Sequence, residues 1–171
     1  MVPEARLENG VPQEKGWFVV NARDARWQHN ELGAYCGFEG RRGTDGQFDE
    51  LGINLNVLPP GKPMSMYHGE AGEEAFLVLA GECVLIVEGE RRHLQKWDFV
   101  YCPPWTEHVL VGVGPEPALV LAAGVRREGI VYPANDVAIE HEAGVDQETT
   151  APAEAYAKYS RPEEGPAPEV F

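Results

Sequence analysis

An all-β fold, a sandwich or a barrel, is predicted by three observations on this sequence. Between residues 52 and 125, short apolar runs follow one another at intervals of roughly eight to twelve residues, the spacing of strands in such folds. Each run ends in turn chemistry: PPG at 59–61, Gly81, EGE at 88–90, Pro103-Pro104 and GPEP at 114–117. The first of them, GINLNVL, alternates Ile53, Leu55 and Val57 against Asn54, Asn56 and Leu58, with the period of a strand.

The elements follow in order. Residues 1–15 are polar. The stretch 16–27 begins with the β-rich run WFVV, 33–40 is a second strand candidate, and RRGTDGQFDE at 41–50 is turn-forming. After the alternating strand that starts at Gly52, strands are predicted over 64–68, 75–80, 83–87, 98–102, 108–113 and 118–125, with a tight hairpin at Gly89. FLVLA, CVLIV and ALVLA are apolar on both faces, whereas a strand of an isolated small barrel alternates. Something must therefore cover their outer side: the N-terminal strands, the C-terminal tail or a second subunit. The tail from Arg126 onward holds two helical signals, a cap at Asn135 or Asp136 and the start Thr150-Ala151-Pro152, which predicts a helix through Tyr159. Tyr132, Val137, Ile139, Tyr156 and Tyr159 predict that much of the tail docks on the barrel or its partner. The Pro- and Glu-rich end after Arg161 is expected to be extended or disordered. The organisation expected is an N-terminal extension over 1–51, a barrel over 52–125 and a C-terminal arm over 126–171.

Composition narrows the partners. In 171 residues the chain carries 28 acidic against 14 basic side chains, a formal net charge of −14, which repels phosphate backbones and anionic lipid. Nucleic acid and membrane are therefore not expected as partners. No segment approaches the roughly 20 apolar residues of a membrane helix, and MVPEARLENG does not read as a secretory signal. Three cysteines, Cys36, Cys83 and Cys102, show no CxxC spacing and fit no disulfide framework, so a cytoplasmic location is expected.

The chemistry concentrates in MYHGEAGEEAFLVLAGE. It sets His68, Glu70, Glu73 and Glu74 at the mouth of an apolar strand, where an imidazole or carboxylate is costly to bury unless paired or bound to a metal. His68 ends one predicted strand and Glu74 begins the next, while His108 opens a strand forty residues after His68. Rolling the sheet into a barrel lets all three project into one cavity. Two imidazoles and a carboxylate form the facial set that suits iron(II), manganese, nickel or zinc and leaves positions open for water or substrate.

At these residues the chain resembles the cupins, small double-stranded β-helix or jelly-roll barrels. The first cupin motif is G(x)5HxH(x)3–4E(x)6G. Here Gly61 precedes Met66-Tyr67-His68, then comes Glu74, and six residues later Gly81. The second is G(x)5PxG(x)2H(x)3N. Here Trp97 is followed after five residues by Pro103-Pro104-Trp105, then His108 and Gly112. The resemblance covers about 52–125. Met66 replaces the first histidine, the spacer from His68 to Glu74 is five residues, Trp97 and Trp105 replace glycines, and Gly112 replaces the asparagine.

The resemblance implies that His68, Glu74 and His108 hold one divalent metal ion (Fe, Mn, Ni or Zn) and that a fourth ligand is missing. Without metal, the three would form a buried His–Glu–His cluster. Met66 is either a thioether ligand or an apolar wall, and Cys102 either a thiolate ligand or a small core residue. Glu70 and Glu73 either swing inward or stay in solvent. Met66, Cys102, Tyr67, Tyr101 and Trp105 are the candidate pocket-lining residues, with Trp97 near them. No catalytic residue is singled out. Two classes of function stand: a small metalloenzyme of dioxygenase or isomerase type acting on a small polar molecule, and a non-catalytic module that binds a small molecule or metal. A homodimer is expected, as cupins often are.

Overall fold

The computed structural model describes residues 1–170. Fourteen strands are seen among them. The first four are β1 (Leu7–Glu8), β2 (Val11–Pro12), β3 (Trp27–Asn30) and β4 (Gly33–Gly37). The barrel strands are β5 (Leu51–Leu58), β6 (Gly69–Glu70), β7 (Glu74–Ala80), β8 (Glu82–Val87), β9 (Glu90–Gln95), β10 (Phe99–Cys102), β11 (His108–Val113) and β12 (Ala118–Val125). After β13 (Ile130–Val131) come two short helices, α1 (Asp136–Glu140) and α2 (Pro152–Ala155), and then β14 (Glu163–Gly165). A seven-stranded sheet runs in the order β10-β7-β12-β5-β4-β3-β14 and faces a three-stranded sheet, β11-β8-β9, all pairs antiparallel. The fold is an all-β jelly-roll barrel with an N-terminal extension and a C-terminal arm.

Strand parity explains how residues apolar on both faces fit this barrel. Phe76 and Val78 of β7, Val120 and Ala122 of β12, and Leu58 of β5 point between the sheets, where they meet Cys83, Leu85, Leu94 and Leu110. The alternate residues form a second core on the outer face of the large sheet: Leu55, Val57 and Leu119 with Trp27, Ala34 and Cys36. That face is covered by Val20, Ala22 and Ala25 from the N-terminal segment and by Ala167 and Val170 from the C-terminal one. On the small sheet, the outward Ile86, Val109 and Val111 pack on Ala138 and Ala143 of the arm. Both extensions thus supply covers for strands that would otherwise expose apolar side chains, each worth about 1.5–3 kcal/mol when fully buried.

Two local expectations need correction, and a third is narrowed to one of its alternatives. Residues 64–68 form no continuous strand; only Pro63 and His68 make isolated bridges, to Val111 and His108. The Tyr67 amide instead donates to the Ala143 carbonyl and that of Met66 to the Tyr156 hydroxyl, so the arm takes the hydrogen bonds a ladder would use. The helix expected to reach Tyr159 ends at Ala155, with Pro152 in its first turn and no side-chain cap at Ala151. The end of the arm, expected to be extended or disordered, is an ordered extended segment because Glu163–Gly165 pair with β3.

Candidate metal centre

The site is assembled by two backbone features. His68 and His108 are cross-strand partners that exchange both backbone hydrogen bonds, at 3.2 and 2.8 Å, so their side chains leave the same side of the chain. Glu74 opens β7 with the inward parity of Phe76 and Val78 and lies opposite Gly124 of β12. A Cβ at Gly124 would stand 3.2 Å from the Glu74 Cγ, so the glycine leaves room for the carboxylate to turn toward the histidines.

The three side chains converge. Glu74 Oε2 lies 3.1 Å from His108 Nε2 and 3.7 Å from His68 Nε2. The side chains are only 2% (His108), 10% (His68) and 18% (Glu74) exposed. Each imidazole is oriented from behind: His68 Nδ1 donates to the Met66 carbonyl at 2.7 Å and His108 Nδ1 to the Thr106 carbonyl at 2.9 Å. With a proton on Nδ1, each Nε2 presents a lone pair to the centre. His108 Nε2 and Glu74 Oε2 are buried and have no well-aligned hydrogen-bond partner despite their closeness. Two nitrogen lone pairs and a carboxylate facing one another across a small gap require a cation or a proton between them. Donors about 2.0–2.2 Å from a shared ion stand roughly 3–3.5 Å apart, and the three ligand atoms here lie within 4.8 Å of one another. The donor set fits a divalent metal ion.

The titration behaviour agrees. Burial works against the charged form of both His108 and Glu74. For His108, the nearness of Cys102 and Glu74 outweighs it and raises the pKa to about 10. For Glu74, the nearness of His108 and His68 outweighs it and lowers the pKa to about 2. A proton thus fills the place a cation would take.

The other candidate residues divide by parity. Cys102, opposite Glu74 on β10, is buried in the barrel core, near enough to His108 to raise its pKa. Met66 is fully buried, but in a cluster with Tyr132 and Ala155 beneath the arm. Tyr67 and Tyr101, expected at the pocket, face away from it: Tyr101 alternates with the inward Cys102 of β10, and Tyr67 lies in the cluster on the outer side of the small sheet. Tyr67 packs with Ile86 and Val109, accepts from the Gly89 amide at 3.1 Å and donates to Glu107 at 3.2 Å. Tyr101 is more than half exposed and donates to Glu73 at 2.7 Å, which also holds Glu73 outside the barrel. Trp105 is also mostly exposed and lies against Gly129.

Glu74 opens into a cleft of about 520 Å³ shared with Asn54 and Glu70. Burial, then the charge of Glu74, raises the Glu70 pKa, and the two histidines pull it back. Asn54 and its hydrogen-bonded neighbour Asn56 (2.6 Å) face inward, opposite Ala122 and Val120, while the apolar Leu55 and Val57 face out. Sequence reasoning missed Asn54 and Asn56 as site residues; two asparagines spaced two apart within an apolar strand were the available signal. A second cavity, about 510 Å³, lies between β3–β5 and the arm and includes none of the three converging residues.

A jelly-roll barrel with an inward His–Glu–His cluster at its mouth is the arrangement that the resemblance to cupins implies. The Cupin domain family matches residues 54–124, so this stretch of the chain is similar to a cupin domain. Among curated proteins it is 26% identical over 65 residues to an uncharacterized protein of Methanocaldococcus jannaschii, a match spanning 38% of this chain and 52% of that one. The chain thus spans about half the length of that curated relative. Among solved structures it resembles the polyketide cyclase RemF from Streptomyces resistomycificus (TM-score 0.57, 15% identity, 67% of this chain and 83% of that one). It also resembles an RmlC-like cupin from Shewanella frigidimarina NCIMB 400 (TM-score 0.54, 17% identity, 68% and 96%). Both likenesses are of fold.

Proposed function

We propose that this protein is a small metal-dependent cupin enzyme that holds one divalent ion on His68, Glu74 and His108 and acts on a small polar molecule in the adjoining cleft. The observation that supports this reading most is the convergence of buried, unpartnered His108 Nε2 and Glu74 Oε2 with His68 Nε2, each imidazole anchored through its Nδ1. The ion would supply Lewis-acid chemistry or, if iron, activation of dioxygen. The chain's own part is to fix the ligand tautomers through the carbonyls of Met66 and Thr106, to keep the inner wall apolar and dry, and to present Asn54 and Glu70 to a bound molecule. Glu70, on the cleft wall, is the side chain placed to accept or return a proton.

Metal analysis of protein purified without added metal tests the reading. One equivalent of Fe, Mn, Ni or Zn is expected in the wild type and none in His108→Ala; a wild type without metal overturns it. A non-catalytic binding module is the second reading, favoured by Met66, whose buried apolar setting leaves three protein ligands where the family motif has four. Turnover of small acids, catechols or sugars by the metal-loaded protein separates the two. The expected homodimer belongs to the same proposal. Phe99 (66% exposed) and Tyr101 (55%) stand on the outer face of edge strand β10, and Phe99→Glu should leave a monomer by sedimentation if that face pairs.

A further inference from the structure

The cleft in front of Glu74 is ringed by arginines in a protein with twice as many acidic as basic side chains. Arg42, Arg126 and Arg127 all line it, together with Asn54 and Glu70. They come from two Arg-Arg doublets far apart in sequence, 41–42 in the turn after β4 and 126–127 directly after β12. In each doublet one arginine is neutralised. Arg41 pairs with Glu164 at 3.1 Å, and Arg126 pairs with Glu39 while its amide donates to the Glu50 carbonyl. The other member of each doublet, Arg42 or Arg127, has no ion pair among the described residues, and both of these line the cleft. The third doublet, Arg91-Arg92, shows the contrast: both members are paired, with Glu140 and Glu90, and neither lines this cleft. Glu128 shares the rim but makes no ion pair with Arg42 or Arg127. The floor between the arginines and Glu74 is small-residued, Ala122 and Gly124, which leaves space for a ligand rather than a packed side chain.

A planar guanidinium matches carboxylate and phosphate oxygens in geometry, and Arg42 and Arg127 present two of them without an ion pair beside Glu70, Glu74 and Glu128. We propose that the cleft binds a small organic oxyanion, a carboxylate or a phosphate ester, with its anionic group on Arg42 and Arg127 and its remaining oxygens toward Asn54 and the metal centre. The inner end of this pose rests on the metal reading above; the arginine end does not.

Calorimetric titration with inorganic phosphate and with malonate tests it, on the full chain, with metal content read on the same samples. Saturable binding of at least one probe is expected in the wild type and in Arg23→Gln, an exposed arginine away from the cleft. The double variant R42Q/R127Q should bind that probe at least tenfold more weakly with metal content unchanged, and R42K/R127K should recover part of the loss. Preference for phosphate assigns a phosphate ester and preference for malonate a carboxylate. Wild type that binds neither probe, or a double variant within twofold of wild type, overturns the proposal. A wild type devoid of metal that still binds a probe, and loses it in R42Q/R127Q, overturns the metal reading while supporting the oxyanion subsite.

Discussion

Trp97 and Trp105 sit where the cupin motif carries glycine, and their backbones keep the glycine conformation, with φ of +76° and +68°. A tryptophan held there is strained by about 1–2 kcal/mol, of which glycine would return a part through its looser unfolded chain. Trp97 is 65% exposed and loses little by truncation, so Trp97→Gly should raise stability by about 0.5–1 kcal/mol in urea denaturation. No gain, or a loss, would mean that the indole has a contact worth more than the strain. Gly112 is the opposite case. The motif has asparagine there, yet a Cβ would meet the Pro59 carbonyl at 2.5 Å and that of Leu58 at 2.6 Å. Restoring the motif by Gly112→Asn should cost roughly 2 kcal/mol or more. Departures from a motif were thus visible in the sequence. Their meaning was not, because it resides in φ angles and in how closely a neighbouring strand approaches.

At the scale of elements, what could be read in advance was whatever local pattern decides. The strands at 108–113 and 118–125 lie where apolar runs and Gly/Pro turns put them. The segment 64–68 and the arm were not legible in this way, since the amides of Met66 and Tyr67 are satisfied by Tyr156 and Ala143 of the distant arm. The same holds for the site: His68, Glu74 and His108 were recognisable by spacing, but Asn54 and Asn56 were not, because an outer core on the other side of β5 reverses which face is polar. The arm's cover over β8 and β11 begins at Asn135, which caps α1 by accepting from the Ala138 amide at 3.1 Å. Asn135→Ala should lower stability by about 1 kcal/mol, and amide exchange should rise first at Tyr67, whose amide is held by Ala143 of the same arm. Uniform destabilisation with no local change at Tyr67 would show that α1 is not a separate cover.

For the whole molecule, a metal ion held at the barrel mouth as proposed would couple to stability. Without metal, the nearness of the two histidines lowers the pKa of Glu74, and that of Glu74 and Cys102 raises the pKa of His108, each against burial. A divalent ion bound only by the native barrel stabilises it by mass action, about 2.7 kcal/mol at a hundredfold excess over its dissociation constant. For a domain of this size that corresponds to a Tm difference of about 5–10 °C. Chelation followed by dialysis should therefore lower the Tm of the wild type by that amount, and added Mn, Fe, Ni or Zn should restore it. Glu74→Gln removes the anionic ligand and the charge that needs compensation, so its Tm should be indifferent to chelator and to metal alike. If wild type and Glu74→Gln respond equally, the ion acts elsewhere on the acidic surface and the three converging side chains are a proton-bridged cluster.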